Sequence, residues 1–88
     1  MNVVYILQSE VNYKYYVGST KNLTRRLEEH NSGRSKYTSF SKPFKLVFSQ
    51  EFSTQREARS IEYRLKKFKS RKIVEKIIKE GYIKIANR

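Results

Sequence analysis

The sequence predicts a layered α+β domain with the element order β-β-α-β-α-α, and three observations carry that prediction. Residues 3–8 and 15–19 are runs of β-branched, aromatic and aliphatic residues separated by a short polar connection, the pattern of paired strands. Residues 44–52 form a third such run. The stretches between and after it place apolar residues three and four apart behind good capping residues, the pattern of helices laid on a sheet.

The first strand, Val-Val-Tyr-Ile-Leu-Gln over 3–8, is apolar on both alternating faces, which suits a strand covered on both sides and central in its sheet. Residues 10–14 are polar and short, so residues 15–19 return as the second arm of an antiparallel hairpin. Gly18 follows Val17 where the strand is expected to end and bend out of the sheet. Asn22 is a good N-cap for a helix running to about Asn31, with Gly33 as its stop. Leu23, Leu27 and the stem of His30 form its inward face, and Arg26 lies four residues before His30 on one edge. A loop of basic, hydroxyl and aromatic residues follows over 34–43, able to lie along a phosphate backbone or simply on the surface.

After the third strand, Thr54-Gln55-Arg56-Glu57 has the form of a capping box. The helix behind it carries Ala58, Ile61, Leu65 and Phe68 as a core stripe. Glu62 sits on the edge of that stripe, where pairing with Arg59 or Lys66 is the plainest account of it. Ser70 caps a last helix over 71–80, with Ile73, Val74, Ile77 and Ile78 inward, Lys72, Lys76 and Lys79 outward, and Gly81 at its end. Residues 82–86 alternate and suggest a short extended piece.

The 88 residues suit a single domain over 1–88, burying about 60–65% of its unfolded surface. With no cysteine and one histidine, disulfides and most transition-metal centres are excluded, and a reducing cytoplasm fits. No apolar run approaches the roughly 18 residues of a membrane span, and a signal-peptide layout is absent, so neither a membrane partner nor secretion is expected.

Charge is the strongest bulk signal: 20 Lys and Arg against 8 Asp and Glu, a formal net of +12. Residues 21–45 carry seven basic and two acidic residues, and 64–88 carry ten and two, while the remainder is nearly neutral. Two basic blocks suit a polyanion. The side chains that a core does not need are Tyr5, Tyr16, Arg26, His30 and Glu62. Such a set suits phosphodiester hydrolysis. Arg26 can neutralise charge on phosphoryl oxygens, one carboxylate with waters and phosphate can hold Mg²⁺, and a tyrosinate or His30 can take a proton from water. A free tyrosine, with a pKa of about 10, is a poor base at neutral pH, so Arg26 and a cation would have to lower it.

Val3-Val4-Tyr5, then Tyr16-Val17-Gly18, Arg26, His30 and Glu62, taken in this order, resemble the GIY-YIG nuclease domain over residues 2 to about 70. Around residues 58–67 the likeness is to small stand-alone bacterial members, kin to the N-terminal domain of the excinuclease nuclease subunit. The resemblance implies a three-stranded antiparallel sheet flanked by helices, with the basic last helix and tail over 70–88. It implies that Tyr5 and Tyr16 line the active site and that Gly18 is the motif's structural glycine. It also implies catalytic roles for Arg26 and His30, and Glu62 as the one metal-binding carboxylate, for Mg²⁺ or Mn²⁺. The first motif lacks its glycine and isoleucine, Val17 replaces an isoleucine, Ser19 stands where excinuclease-type members often have lysine, and no late asparagine matches.

The expectation is a metal-dependent DNA endonuclease of the bacterial cytoplasm and nucleoid, in repair or recombination, with RNA open as a second substrate. Lys21, Arg25, Arg34, Lys36, Lys72, Lys76 and Lys79 are expected to hold the backbone. The competing reading is a non-catalytic nucleic-acid-binding module on the same fold. That module has no use for Glu62, since a carboxylate repels phosphate unless a cation lies between.

Overall fold

A computed structural model describes residues 2–32, 42–68 and 70–83. The elements are β1 (Asn2–Ser9), β2 (Tyr15–Thr20), α1 (Leu23–Asn31), β3 (Phe44–Phe52), α2 (Gln55–Phe68) and α3 (Arg71–Glu80), in the predicted order. The strands form one antiparallel sheet ordered β2-β1-β3. β1 is central because both its faces are apolar: Val3 to Leu7 are buried without a break.

The two faces of the sheet bury different things. On one, Val4, Ile6 and Phe48 meet Ala58, Ile61 and Leu65 of α2 and Val74 and Ile77 of α3. On the other, Tyr5, Leu7 and Phe44 lie under Leu23 and Leu27 of α1. A bulge in β3 divides the two phenylalanines. Ile6 opposes Phe48 and Leu7 opposes Leu46, which leaves Val47 as an extra residue. Side chains alternate along a strand, so one inserted residue turns everything beyond it to the other face. Phe44 and Phe48, four residues apart, would otherwise share a side.

The helix ends follow capping chemistry. Asn22 Oδ1 accepts from Arg25 N–H, and Ser70 Oγ from Ile73 N–H. Gly81 closes α3 at φ 83°, a left-handed conformation that glycine adopts without strain. In the expected capping box Thr54 Oγ1 accepts from Glu57 N–H, but the Glu57 carboxylate takes the Ser53 N–H, one residue further out. α1 ends at Asn31, whose side chain accepts from Phe44 N–H at 2.7 Å and donates to Phe44 C=O at 3.3 Å. That clamp fixes the end of α1, and with it His30, against the start of β3.

Three expectations need correction. Phe68 is 47% exposed and does not continue the core stripe, because the chain turns at Ser70 into α3 and Val74 and Ile77 complete the core instead. Gly18 is no bend: β2 runs on to Thr20 and Gly18 pairs with Tyr5. Tyr82 and Ile83 are not a strand; Ile83 N–H donates to the Gln50 side chain of β3. The predicted helix stop Gly33 and the rest of the extended piece lie outside the described residues, as do Arg34 and Lys36 of the basic loop.

Candidate active site

The site starts from a gap in the sheet. Tyr5 leaves the central strand and lies across Gly18 of its edge neighbour β2. A Cβ at Gly18 would stand 2.5 Å from Tyr5 Cζ and closer still to the hydroxyl oxygen, so only glycine fits beneath the ring. Gly18 therefore serves close approach rather than chain reversal. Tyr5 is 3% exposed, and its hydroxyl reaches a cavity of about 570 Å³ that opens along the β2 edge.

Two side chains of α1 converge on that hydroxyl. Being four residues apart, Arg26 and His30 share one helix edge. His30 Nε2 is 3.1 Å from the phenol oxygen and Arg26 Nε donates to it at 3.4 Å. Glu29 accepts from Arg26 Nη1 at 3.0 Å and also meets Arg25 at 3.4 Å. Hydrogen bonds donated to Tyr5 and Glu29 hold Arg26 firmly charged, and Arg26 in turn holds the Glu29 carboxyl below its ordinary range.

Burial dominates the two neutral groups. It pushes the Tyr5 phenol above its ordinary value, with Arg26 opposing and the Glu62 charge adding to the rise. Arg26 does lower this phenol, as expected of it, but by itself it is outweighed by desolvation. Burial, helped by the Arg26 charge, pulls His30 below 6.5, so at neutral pH it is an uncharged imidazole able to accept a proton.

Glu62 comes from the opposite side of the sheet. Side chains alternate along β2, so where Gly18 leaves room for Tyr5 on the α1 side, Ser19 faces α2 and donates its hydroxyl to Glu62 Oε1. Lys66, one helical turn on, sits 2.7 Å from Glu62 Oε2. Because β2 is an edge strand, groups from both faces meet around it: Tyr5, Arg26 and His30 from one, Glu62 and Lys66 from the other line the same cavity. Tyr16 completes the wall, half-buried, with its ring edge-on to Phe44 at 5.1 Å.

The structure thus brings Tyr5, Tyr16, Gly18, Arg26, His30 and Glu62 together. Of the predicted backbone-holding residues, it brings none of those it describes to the cavity. Lys21 and Arg25 are exposed near the start of α1, and Lys72, Lys76 and Lys79 lie on the outer face of α3. Among the described residues, the cations that do line it, besides Arg26, are Lys14, Lys66 and Arg71. Arg71 stacks 4.8 Å over the Tyr15 ring and donates to Tyr13 C=O, tying α3 to the β1–β2 turn. Lys14 and Arg71 were hidden because only the docking of α3 on the hairpin brings them together. Ser19 could have been found: its place after Gly18 assigns it to the α2 side. Among the described residues no group of three His, Cys, Asp or Glu could hold a metal ion, and Glu62 is the single carboxylate of the cavity. Nor is any described helix long and apolar enough to cross a membrane.

Comparison with known proteins agrees with this fold. The family model of the GIY-YIG catalytic domain matches residues 1–77. The UPF0213 protein CPE1444 of Clostridium perfringens is 46% identical over 68 residues, covering 76% of this chain and 72% of that protein. The UPF0213 protein YazA of Bacillus subtilis is 39% identical over 69 residues, covering 77% and 69%. A solution NMR structure of the UPF0213 protein BH0048 from Bacillus halodurans superposes with a TM-score of 0.57 at 37% identity, covering 92% of this chain and 87% of that one. The fold and the matched span agree, and the chain belongs to the GIY-YIG catalytic-domain family, a nuclease superfamily.

Proposed function

We propose that this protein is a metal-dependent endonuclease that hydrolyses DNA phosphodiesters with a single divalent cation. The observation that carries the reading is the phenol of Tyr5, bonded to both Arg26 and His30 and set beside one carboxylate from the other side of the sheet. A binding surface needs cations. It does not need a buried phenol bonded to a neutral imidazole.

The donor set suits a hard cation. Mg²⁺ and Mn²⁺ keep several waters and accept one or two carboxylates plus substrate phosphate. Glu62 offers one carboxylate, and an ammonium already rests against it. When bound there, the cation would supply charge neutralisation at the phosphoryl group. Arg26, held cationic by Tyr5 and Glu29, adds positive charge where the pentavalent transition state becomes more anionic. As water attacks phosphorus its proton passes to the Tyr5 oxygen while the phenol proton moves to His30 Nε2, and the bond to the leaving oxygen breaks, that oxygen departing as an alkoxide that takes a proton from solvent. The lowered basicity of His30 keeps Nε2 ready to accept at neutral pH. Tyr16 shapes the wall against which the substrate lies.

The second reading, a non-catalytic binding module, has one observation in its favour. Lys66 neutralises Glu62, so the cavity presents net positive charge without any metal.

Cleavage of end-labelled DNA in duplex, nicked, branched and single-stranded forms, and of matching RNA, with Mg²⁺, Mn²⁺ or EDTA, tests the proposal. Products that require the cation and vanish in Glu62→Ala are expected, and the preferred form names the substrate. Tight binding without products under every condition would transfer the protein to the second reading.

A further inference from the structure

We propose that Lys66 is a resident counter-ion that keeps the Glu62 carboxylate closed to divalent cations until a polyanion draws the ammonium away. The proposal rests on Glu62 being the cation-binding carboxylate of the function proposed above.

Both oxygens of Glu62 are engaged: Oε1 accepts the Ser19 hydroxyl and Oε2 lies 2.7 Å from Lys66 Nζ. An ammonium at that distance occupies the space a second cation would need. Keeping both on one carboxylate would set like charges a few ångströms apart. Glu62 can therefore admit a divalent cation only as Lys66 leaves.

The two cations nearest the reacting groups are held very differently. Arg26 is fixed between the Tyr5 hydroxyl and the Glu29 carboxylate. Lys66 is 57% exposed and ends a flexible four-carbon stem, so its release is a change of rotamer into water. A phosphate entering the cavity offers it another partner. Transfer of Lys66 from Glu62 to phosphate frees the carboxylate at the moment substrate arrives. Substrate and cation then strengthen each other's binding beyond their direct contact, and that coupling must act equally in both directions. The ordinary alternative is a helix-stabilising pair, since a Glu four residues before a Lys is a favourable surface arrangement. That alternative gives Lys66 no influence on cation affinity.

Titration of the intact protein with Mn²⁺ and no nucleic acid, read by the electron paramagnetic resonance of free Mn²⁺, separates the two. Lys66→Gln should bind Mn²⁺ about fivefold more tightly than the parent, the scale of one partly exposed ion pair. Lys66→Arg, which keeps the charge, should stay near the parent. Lys67→Gln makes the same change in net charge, but Lys67 Nζ lies 6.0 Å over the Tyr63 ring, and this variant should also stay near the parent. Addition of a non-cleavable oligonucleotide should tighten Mn²⁺ binding more in the parent than in Lys66→Gln. A Lys66→Gln variant that binds Mn²⁺ no more tightly than Lys67→Gln overturns the counter-ion role. If Glu62→Ala abolishes Mn²⁺ binding while Lys66→Gln matches Lys67→Gln, the counter-ion role alone falls. If Glu62→Ala leaves Mn²⁺ binding unchanged in every background, the metal site falls with it.

Discussion

The two faces of the sheet divide the work of the molecule. Among the described residues the α2–α3 face buries eight apolar side chains, and it is the principal core. Among the described residues the α1 face buries a smaller cluster, Tyr5, Leu7 and Phe44, with His30 beside them. Half of that smaller set are the groups to which we assign chemistry. A chain this short has little core to spare, so a neutral phenol and a neutral imidazole are packed as core residues and held for use by the same contacts. The face that holds most of the core and the face that holds the phenol and imidazole should therefore respond differently to substitution.

The largest loss of stability is expected on the apolar face. Ile61 is 1% exposed, and Ile61→Ala should lower unfolding free energy by about 2–4 kcal/mol in chemical denaturation. Whatever protein remains folded should bind nucleic acid like the parent. A loss of binding without a loss of stability would break the proposed division. Next in size is Gly18→Ala, where the new methyl overlaps the Tyr5 ring. Overpacking of this kind costs about 1–3 kcal/mol and should also displace the phenol, so stability and cleavage fall together. A variant as stable and active as the parent would remove the reason given for glycine.

Tyr5→Phe sharpens the contrast. It keeps the ring and removes the oxygen shared by His30 and Arg26, at a cost of about 1 kcal/mol in stability. Cleavage should fall by roughly 100-fold or more. A pH effect of the same face is smaller. The folded state disfavours protonated His30, so its contribution to stability is complete above its unfolded pKa of about 6.5 and is lost as pH falls below that value. The drop in Tm between about pH 7.5 and 5.5 should be smaller in His30→Gln than in the parent, because this chain has one histidine. Smallest of all, Lys72→Ala or Lys76→Ala should barely alter stability. If these exposed lysines hold phosphates, each loss reduces the slope of log affinity against log salt by about 0.9.

Much of this arrangement can be read without coordinates. The order of elements, the central place of β1 and the caps at Asn22, Thr54 and Ser70 follow from local chemistry. The residues that meet in the cavity were also legible: a tyrosine, an arginine and a histidine stood where a core has no use for them. Glu62, by position an ordinary ion pair, was marked only by the family resemblance. The remainder depends on relations between distant residues. The bulge at Val47 leaves no mark in a run that reads as a simple strand, yet it decides which phenylalanine goes to which face. The role of Gly18 appears only once its partner across the ladder is known to be Tyr5. Phe68 matched the helical period and still lies at the surface, because where a stripe ends depends on how far the sheet beneath it extends and on where the chain turns away.

The central claim is that groups from the two faces meet around the β2 edge as one catalytic site. Its most direct test is to measure binding and cleavage of the same labelled DNA by the parent, Arg26→Ala and Glu62→Ala, with Mg²⁺ present. Both variants should bind, Glu62→Ala at least as tightly as the parent because it loses a negative charge, and neither should cut. Cleavage by both at the parent's rate would contradict the site.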